Sequence, residues 1–209
     1  MAKKNKQHIV PFTFIDLFAG LGGFHQALSA LGGCCIFASE LKEDLQKLYR
    51  LNFPNVTIKG DITKVDIKKD IPAHDVLCGG FPCQPFSKAG NQEGFNDSQG
   101  RGNMFDYIMI IVRHHRPKYV FLENVANLKT HDEGHTWKVI KQKLEDAHYA
   151  VYDRILSPHD FGYPQHRKRI YIVAIREDLC EHEYKFPEPT NEVCDIHAII
   201  DEEDTDVQM

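Results

Sequence analysis

The sequence predicts an α/β fold, a mostly parallel sheet with helices on both faces. Two observations carry that expectation. Short β-branched or aromatic runs alternate with amphipathic stretches at helical spacing, and a glycine-rich turn joins the first strand to the first helix. Length and composition agree: 209 residues, 42% hydrophobic and 26% charged, make one ordinary globular domain. A domain of this size buries roughly 70% of its unfolded surface and needs no disulfide staples.

Phe12 to Phe18 reads as the first strand. Phe24, Ala27, Leu28 and Leu31 follow at i, i+3, i+4 and i+7, a helical face that Gly32 and Gly33 close. Cys35 to Ser39 is a second strand, and Leu41, Leu45 and Leu48 mark a second helix stopped before Pro54. A third strand ends near Gly60, and Asp75 to Gly79 makes a further one. The polar, glycine-containing stretch from Pro85 to Asn103 exceeds the ~12–15 residues of plain connections, so it reads as a lid or binding loop. Met104, Phe105, Ile108, Ile111 and Val112 form a helix ended by Pro117. Tyr119 to Glu123 is the next strand, Trp137, Ile140 and Leu144 a helix face, and Tyr149 to Leu156 and Arg169 to Ile175 two more strands. Periodicity fades from Glu177, and the last nine residues read as disordered.

Charge divides the chain further. Residues 1–176 hold 24 Lys and Arg against 18 Asp and Glu, a net +6, whereas residues 177–209 hold only Lys185 against 12 acids, a net −11. A short arm (1–11), a mildly basic body (12–176) and an acidic extension (177–209) follow. The body can approach a phosphate backbone and the extension cannot, unless it points away or meets a basic partner. No apolar run approaches the ~18 residues of a membrane span, and the basic start from Met1 to Gln7 is not followed by a secretory core. A cytoplasmic protein is expected. Six cysteines fall at spacings that fit no metal site, and His131 and His135 lack the Glu that a zinc helix places after the first His.

Two regions carry chemistry. The run Asp16-Leu17-Phe18-Ala19-Gly20-Leu21-Gly22-Gly23 lets a ligand touch bare backbone at a helix N-terminus, and Glu40 ends the next strand, where an acid grips ribose hydroxyls. His25 stands where a dinucleotide fingerprint needs a small residue, and no phosphate-cradling lysine follows. An adenosine cofactor without pyrophosphate, such as S-adenosylmethionine, fits better. Asp61, after Gly60, is a candidate for its adenine amino group. The second region is Gly79-Gly80-Phe81-Pro82-Cys83-Gln84-Pro85-Phe86-Ser87, which ends a strand with a proline-flanked cysteine. Glu123-Asn124-Val125 brings a carboxyl to the same rim, and Gln165-His166-Arg167-Lys168-Arg169 brings positive charge that favours a thiolate. Burial of that carboxyl would let it donate a proton.

From Phe14 to about Pro189 these motifs, in this order, resemble the cytosine-5 DNA methyltransferases of bacterial restriction-modification systems. The resemblance implies a Rossmann-like, S-adenosylmethionine-dependent methyltransferase fold. It implies Cys83 as nucleophile on cytosine C6, Glu123 at the N3 edge, and Arg167 and Arg169 holding the base and its surroundings. Phe18, Ala19, Gly20, Gly22, Gly23, Glu40, Leu41, Asp61, Ile62 and Met104 would line the cofactor pocket. Pro82, Gln84, Ser87, Lys88, Arg101, Asn124, Val125 and Gln165 would face the flipped base and its double-stranded DNA, with no metal.

Two features depart from the family pattern. Leu41 replaces the aromatic that often covers the adenine, and the chain stops soon after Pro189, before a target-recognition domain. The expectation is a split or truncated catalytic part needing a second polypeptide. The alternatives are a non-catalytic fragment that binds cofactor, or an RNA cytosine methyltransferase, because one tRNA-modifying branch shares these motifs.

Overall fold

Strand β1 (Phe12–Leu17) is buried from Phe14 onward and lies mid-sheet. The chain continues through α1 (Gly23–Ala30), β2 (Gly33–Ser39), α2 (Glu43–Asn52), β3 (Ile58–Lys59) and β4 (Val76–Gly80). It then runs through α3 (Met104–His115), β5 (Tyr119–Val125), α4 (His135–Glu145), β6 (Tyr149–Leu156) and β7 (Arg169–Arg176). The computed structural model describes residues 11–82, 104–190 and 192. Among them the strands form one seven-stranded sheet in the order β3-β2-β1-β4-β5-β7-β6, parallel except for β7, which is antiparallel to both neighbours. The predicted architecture is therefore present. The loop from Pro85 to Asn103 and the final nine residues lie outside the described residues.

Side chains alternate between two apolar layers. Ile15, Leu17, Leu77, Val120 and Leu122 pack with Phe105, Ile108 and Ile111 of α3 and with Ile140 and Leu144 of α4. Phe14, Val76 and Cys78 point the other way, onto Leu28 of α1, while Ala38 and Ile58 meet Tyr49 of α2. Helices thus cover both faces. A register shift between Phe14 and Ile15 puts Cys35 opposite Phe14 but Phe37 opposite Ile15, so the two strands stay in step across the bulge at Ile36.

Two helical faces differ from the sequence pattern. In α1 the buried residues are His25 and Leu28, with Ala27 exposed and Leu31 already past the helix and 63% exposed. In α2 the core residue is Tyr49, whereas Leu41 precedes the helix and Leu48 is exposed. The cause is an aromatic and polar cluster that periodicity does not reveal. The His25 ring stacks on Phe53 at 3.7 Å, and His25 Nδ1 shares a 2.7 Å hydrogen bond with the Tyr49 hydroxyl. This pair turns α2 to present Tyr49 and swings the leucines outward.

Strand ends converge on one edge. Leu17 is level with Gly79, Gly80 with Glu123, and Val125 with Arg169, the first residue of the antiparallel β7. Between β1 and β4 the chain reverses its progress across the sheet, the point where open α/β folds leave a crevice. Gly79 permits the closest approach there, since a Cβ would stand 2.8 Å from the Leu17 carbonyl.

Gly22 adopts φ +85° at the start of α1, and a Cβ there would meet the Phe53 ring at 2.3 Å. Gly20 has φ +56° with open space around it. Gly22→Ala should therefore cost at least about 2 kcal/mol and Gly20→Ala only the backbone strain of about 1 kcal/mol, as read by urea denaturation. His74, at the opposite sheet edge, is buried with Nδ1 on the Pro72 carbonyl and Nε2 without a partner among the described residues. Burial pushes it from 6.5 to about 4, so the unfolded chain gains a proton that the folded chain resists between those values. Stability should fall as pH drops through that window, on the order of 3 kcal/mol in total, and level off below it. A His74→Gln variant should lack that component, seen as the difference between the two stability curves from pH 7 to 4.

Candidate active site

The glycine turn is held open by left-handed backbone. Phe18, Gly20 and Gly22 take φ of 57°, 56° and 85°. The Ala19 N–H donates to the Ser39 carbonyl at 2.9 Å, which ties the turn to the end of β2. Glu40, only 9% exposed, accepts from the Gly20 N–H on Oε2 and the Lys42 N–H on Oε1, both at 2.9 Å. One carboxylate thereby bridges two strand ends and sets negative charge beside bare backbone. Gly23 opens α1 with room around it. Phe18 is half-buried against the main core, and Leu41 lies 70% exposed next to Glu40.

Asp61 caps a short turn: its Oδ1 accepts from the Thr63 N–H at 3.0 Å and the Thr63 hydroxyl at 2.8 Å. Oδ2 stands 3.9 Å from Lys64 Nζ. Ile62 is buried, and Met104, the first residue of α3, packs half-buried against the core.

Sequence reasoning quoted Asp16 only as the opening letter of the turn motif. It is 1% exposed, and its Oδ2 has no hydrogen-bond partner among the described residues. Burial pushes its carboxyl up to about 8; a backbone N–H from His25 and the Cys78 thiol oppose this, and the Glu40 charge adds to it. The available signal was an acid inside the otherwise apolar run Phe12 to Phe18. Nearby, burial drives the Cys35 thiol up to about 12 and the Cys78 thiol well above its ordinary value, so neither supplies a thiolate.

At the adjacent strand ends, Glu123 Oε1 meets Arg169 Nε at 2.7 Å, with side-chain exposures of 26% and 19%. Burial of this acid is thus partial. Gly80 leaves space beside it, because a Cβ would lie 3.1 Å from Oε2. Asn124 is buried and donates from Nδ2 to the Phe81 carbonyl at 2.9 Å, while its Oδ1 accepts the Val125 N–H at 2.8 Å. The amide thus fixes the backbone just before Pro82, which is exposed. Cys83, Gln84, Ser87, Lys88 and Arg101 lie outside the described residues.

The other predicted guanidinium sits differently. Arg167 is exposed, and its N–H donates to Ser157 Oγ at 3.1 Å. The carbonyl of the exposed Gln165 accepts the His159 N–H at 3.1 Å and the Ser157 hydroxyl at 3.3 Å. The structure therefore joins Glu123 to Arg169 and leaves Arg167 and Gln165 on the connecting loop. His131 Nδ1 bonds to Thr136 Oγ1 at 2.7 Å rather than pairing with His135.

Comparisons with known proteins identify the family of the chain. The C-5 cytosine-specific DNA methylase family matches residues 12–208. The chain is 46% identical over 186 residues to the type II methyltransferase M.HhaI of Haemophilus parahaemolyticus, covering 89% of this chain and 55% of that protein. It is 48% identical over 185 residues to the type II methyltransferase M.HpaII of Haemophilus parainfluenzae, covering 87% and 51%. The chain spans about half the length of the curated relatives it matches. Among solved structures, a mutant of Spodoptera frugiperda DNMT2 superposes with a TM-score of 0.65 at 25% identity, over 88% of this chain and 55% of that one. A DNA modification methyltransferase encoded in an Escherichia coli prophage gives 0.66 at 20% identity, over 85% and 52%, a likeness of fold. The chain belongs to the C-5 cytosine-specific DNA methylase family, a family of enzymes.

Proposed function

We propose that this chain is the catalytic part of a DNA (cytosine-5-)-methyltransferase of a restriction-modification system, working in the cytoplasm on a cytosine flipped out of duplex DNA. One observation carries it: the glycine turn after β1 and the Glu123–Arg169 pair at β5 and β7 open on one sheet edge, with only β4 between. A methyl donor and a base held at those two points would be neighbours.

The donor set suits S-adenosylmethionine. The buried acid Glu40 stands at a turn of bare backbone, an arrangement that repels pyrophosphate and favours a ligand bearing positive charge. Glu40 would hold the ribose, Phe18, Leu41, Asp61, Ile62 and Met104 the adenine end, and Ala19, Gly20, Gly22 and Gly23 the amino-acid end. The sulfonium supplies an electrophilic methyl group when bound.

Cytosine C5 is a poor nucleophile until something adds to C6. The Cys83 thiolate adds there, Glu123 steadies the charge that reaches N3, and Arg169 keeps the Glu123 carboxyl in place. Addition would make C5 nucleophilic toward the methyl group that the sulfonium would supply, and loss of the C5 proton to solvent would let the Cys83 thiolate leave. Arg167, Gln84, Ser87, Lys88, Arg101, Asn124, Val125, Pro82 and Gln165 are assigned to the base and the DNA backbone around it. Residues 12–176 are assigned to the catalytic body, 1–11 to an arm and 177–209 to an acidic extension.

The direct test is transfer from labelled S-adenosylmethionine to duplex DNA or tRNA, with and without the complementing polypeptide. Transfer to duplex DNA supports the proposal; transfer to tRNA alone replaces it with the RNA reading, and cofactor binding without covalent capture of a 5-fluorocytosine duplex replaces it with a non-catalytic fragment. Cys83→Ser should abolish transfer and capture while leaving cofactor affinity within about twofold. Glu123→Gln should slow transfer by at least about 100-fold, with a smaller effect on DNA affinity, measured by single-turnover kinetics beside equilibrium binding.

A further inference from the structure

A cavity of about 280 Å³ beside the Glu123–Arg169 pair has no part in that scheme, and Leu156, Ser157, Pro158, Phe161, Tyr171 and Pro187 line it. Strand register fixes its position. Tyr171 stands opposite Glu123 across the β5–β7 ladder, and Leu156 stands opposite Arg169 across the β6–β7 ladder. Cavity and ion pair are therefore one or two strand spacings apart, on the order of 5–10 Å.

Ser157, the one hydroxyl of an aliphatic residue in the lining, is already spent on the loop itself. Its Oγ accepts the Arg167 N–H at 3.1 Å, its hydroxyl donates to the Gln165 carbonyl at 3.3 Å, and its N–H donates to Asp160 Oδ2 at 2.9 Å. What remains is flat apolar wall: Phe161, Tyr171 with the Phe121 ring 6.1 Å away, and two prolines. Walls of this kind hold a planar ring by stacking on its face and do not read its edge. The volume falls below the ~300 Å³ of the smallest drug-sized sites, so it suits one ring system.

The rim decides the class of ligand. From Pro158 to Arg169 the chain carries three cations, Arg167, Lys168 and Arg169, against the single acid Asp160, which the Ser157 N–H already engages. Arg167 and Lys168 are exposed and make no ion pair among the described residues. At the Pro187 wall, Arg154 donates to the Pro187 carbonyl at 3.2 Å and to both Glu188 carboxylate oxygens at 2.8 and 2.7 Å, which neutralises that acid. An apolar side chain of another protein would fill the cavity and leave the rim cations unanswered. A nucleotide answers both, with its ring and its phosphate.

We propose that this cavity seats a second nucleobase of the DNA substrate, one that loses its stacking partner when the target cytosine leaves the helix, with Arg167 and Lys168 on the adjoining phosphates. This rests on the assignment of duplex DNA as substrate above. The seat is indifferent to base identity, because stacking uses the ring face that every base has. Holding a second base open offsets part of the cost of unstacking the first.

Equilibrium binding of a fluorescent substrate duplex to the chain with its complementing polypeptide tests this. The intact duplex is compared with three in which an abasic site replaces the base opposite the target or either neighbour on the target strand. On the intact duplex Phe161→Ala should weaken binding by at least about fivefold, and Lys168→Gln should reduce the slope of log affinity against log salt by about one. On one of the abasic duplexes Phe161→Ala should cost nothing further, since the base it held is gone. Equal loss on all four duplexes, no loss on the intact one, an unchanged salt slope, or a loss seen instead in the association of the two polypeptides overturns the inference while leaving the methyltransferase reading intact. If the wild type binds no duplex DNA, that reading fails and the inference falls with it. Pro187 is exposed, so Pro187→Ala supplies the same comparison should Phe161→Ala not fold.

Discussion

A single carboxylate, that of Glu40, ties the end of β1 to the end of β2 by accepting the N–H groups of Gly20 and Lys42. Everything at the cofactor edge depends on this bridge. Beside it, the left-handed turn from Phe18 to Gly22 is held by the Ala19 N–H on the Ser39 carbonyl, the Gly22 N–H on the Ala19 carbonyl and the Gln26 N–H on the Gly22 carbonyl. Charge-assisted bonds to backbone N–H are about twice as strong as neutral ones, so one acidic residue can both shape a turn and give it a sign. That sign would weigh against a phosphate-bearing ligand at the turn.

The second pole of the edge is organised by strand direction rather than by a loop. Glu123 leaves a parallel strand at its end, whereas Arg169 enters an antiparallel strand at its beginning, and the two are brought into contact because β7 runs against β5. Asn124 adds a brace by holding the Phe81 carbonyl, so the backbone before Pro82 is set by the same strand that carries the acid. A reactive group following Pro82 would inherit that placement from β4 and β5 together.

Much of this was legible in the residues. Alternating apolar runs located the strands within one to two residues, and the structure puts the glycine turn, Glu40, Glu123 and Arg169 at strand ends, as their sequence positions indicated. What escaped notice depends on partners that local pattern does not encode. Leu41 and Leu48 looked like a core stripe, but the Tyr49–His25 bond and the Phe53 stack settled the rotation of α2 instead. Periodicity gives a strand and not its direction, so the antiparallel run of β7 was invisible. Asp16 was passed over because an acid in a strand reads as a solvent-facing residue until burial on both sides is known.

The placement of β7 between β5 and β6 also orders assembly. Among the described residues β6 pairs only with β7, and β5 has β4 as its other neighbour, so within this sheet β6 has no backbone ladder to join until residues 169–176 have been synthesised. A nascent chain emerging from the ribosome can build the first five strands while β6 waits. When β6 and β7 dock, they complete the sheet and bring the Arg169 guanidinium to Glu123 in one event.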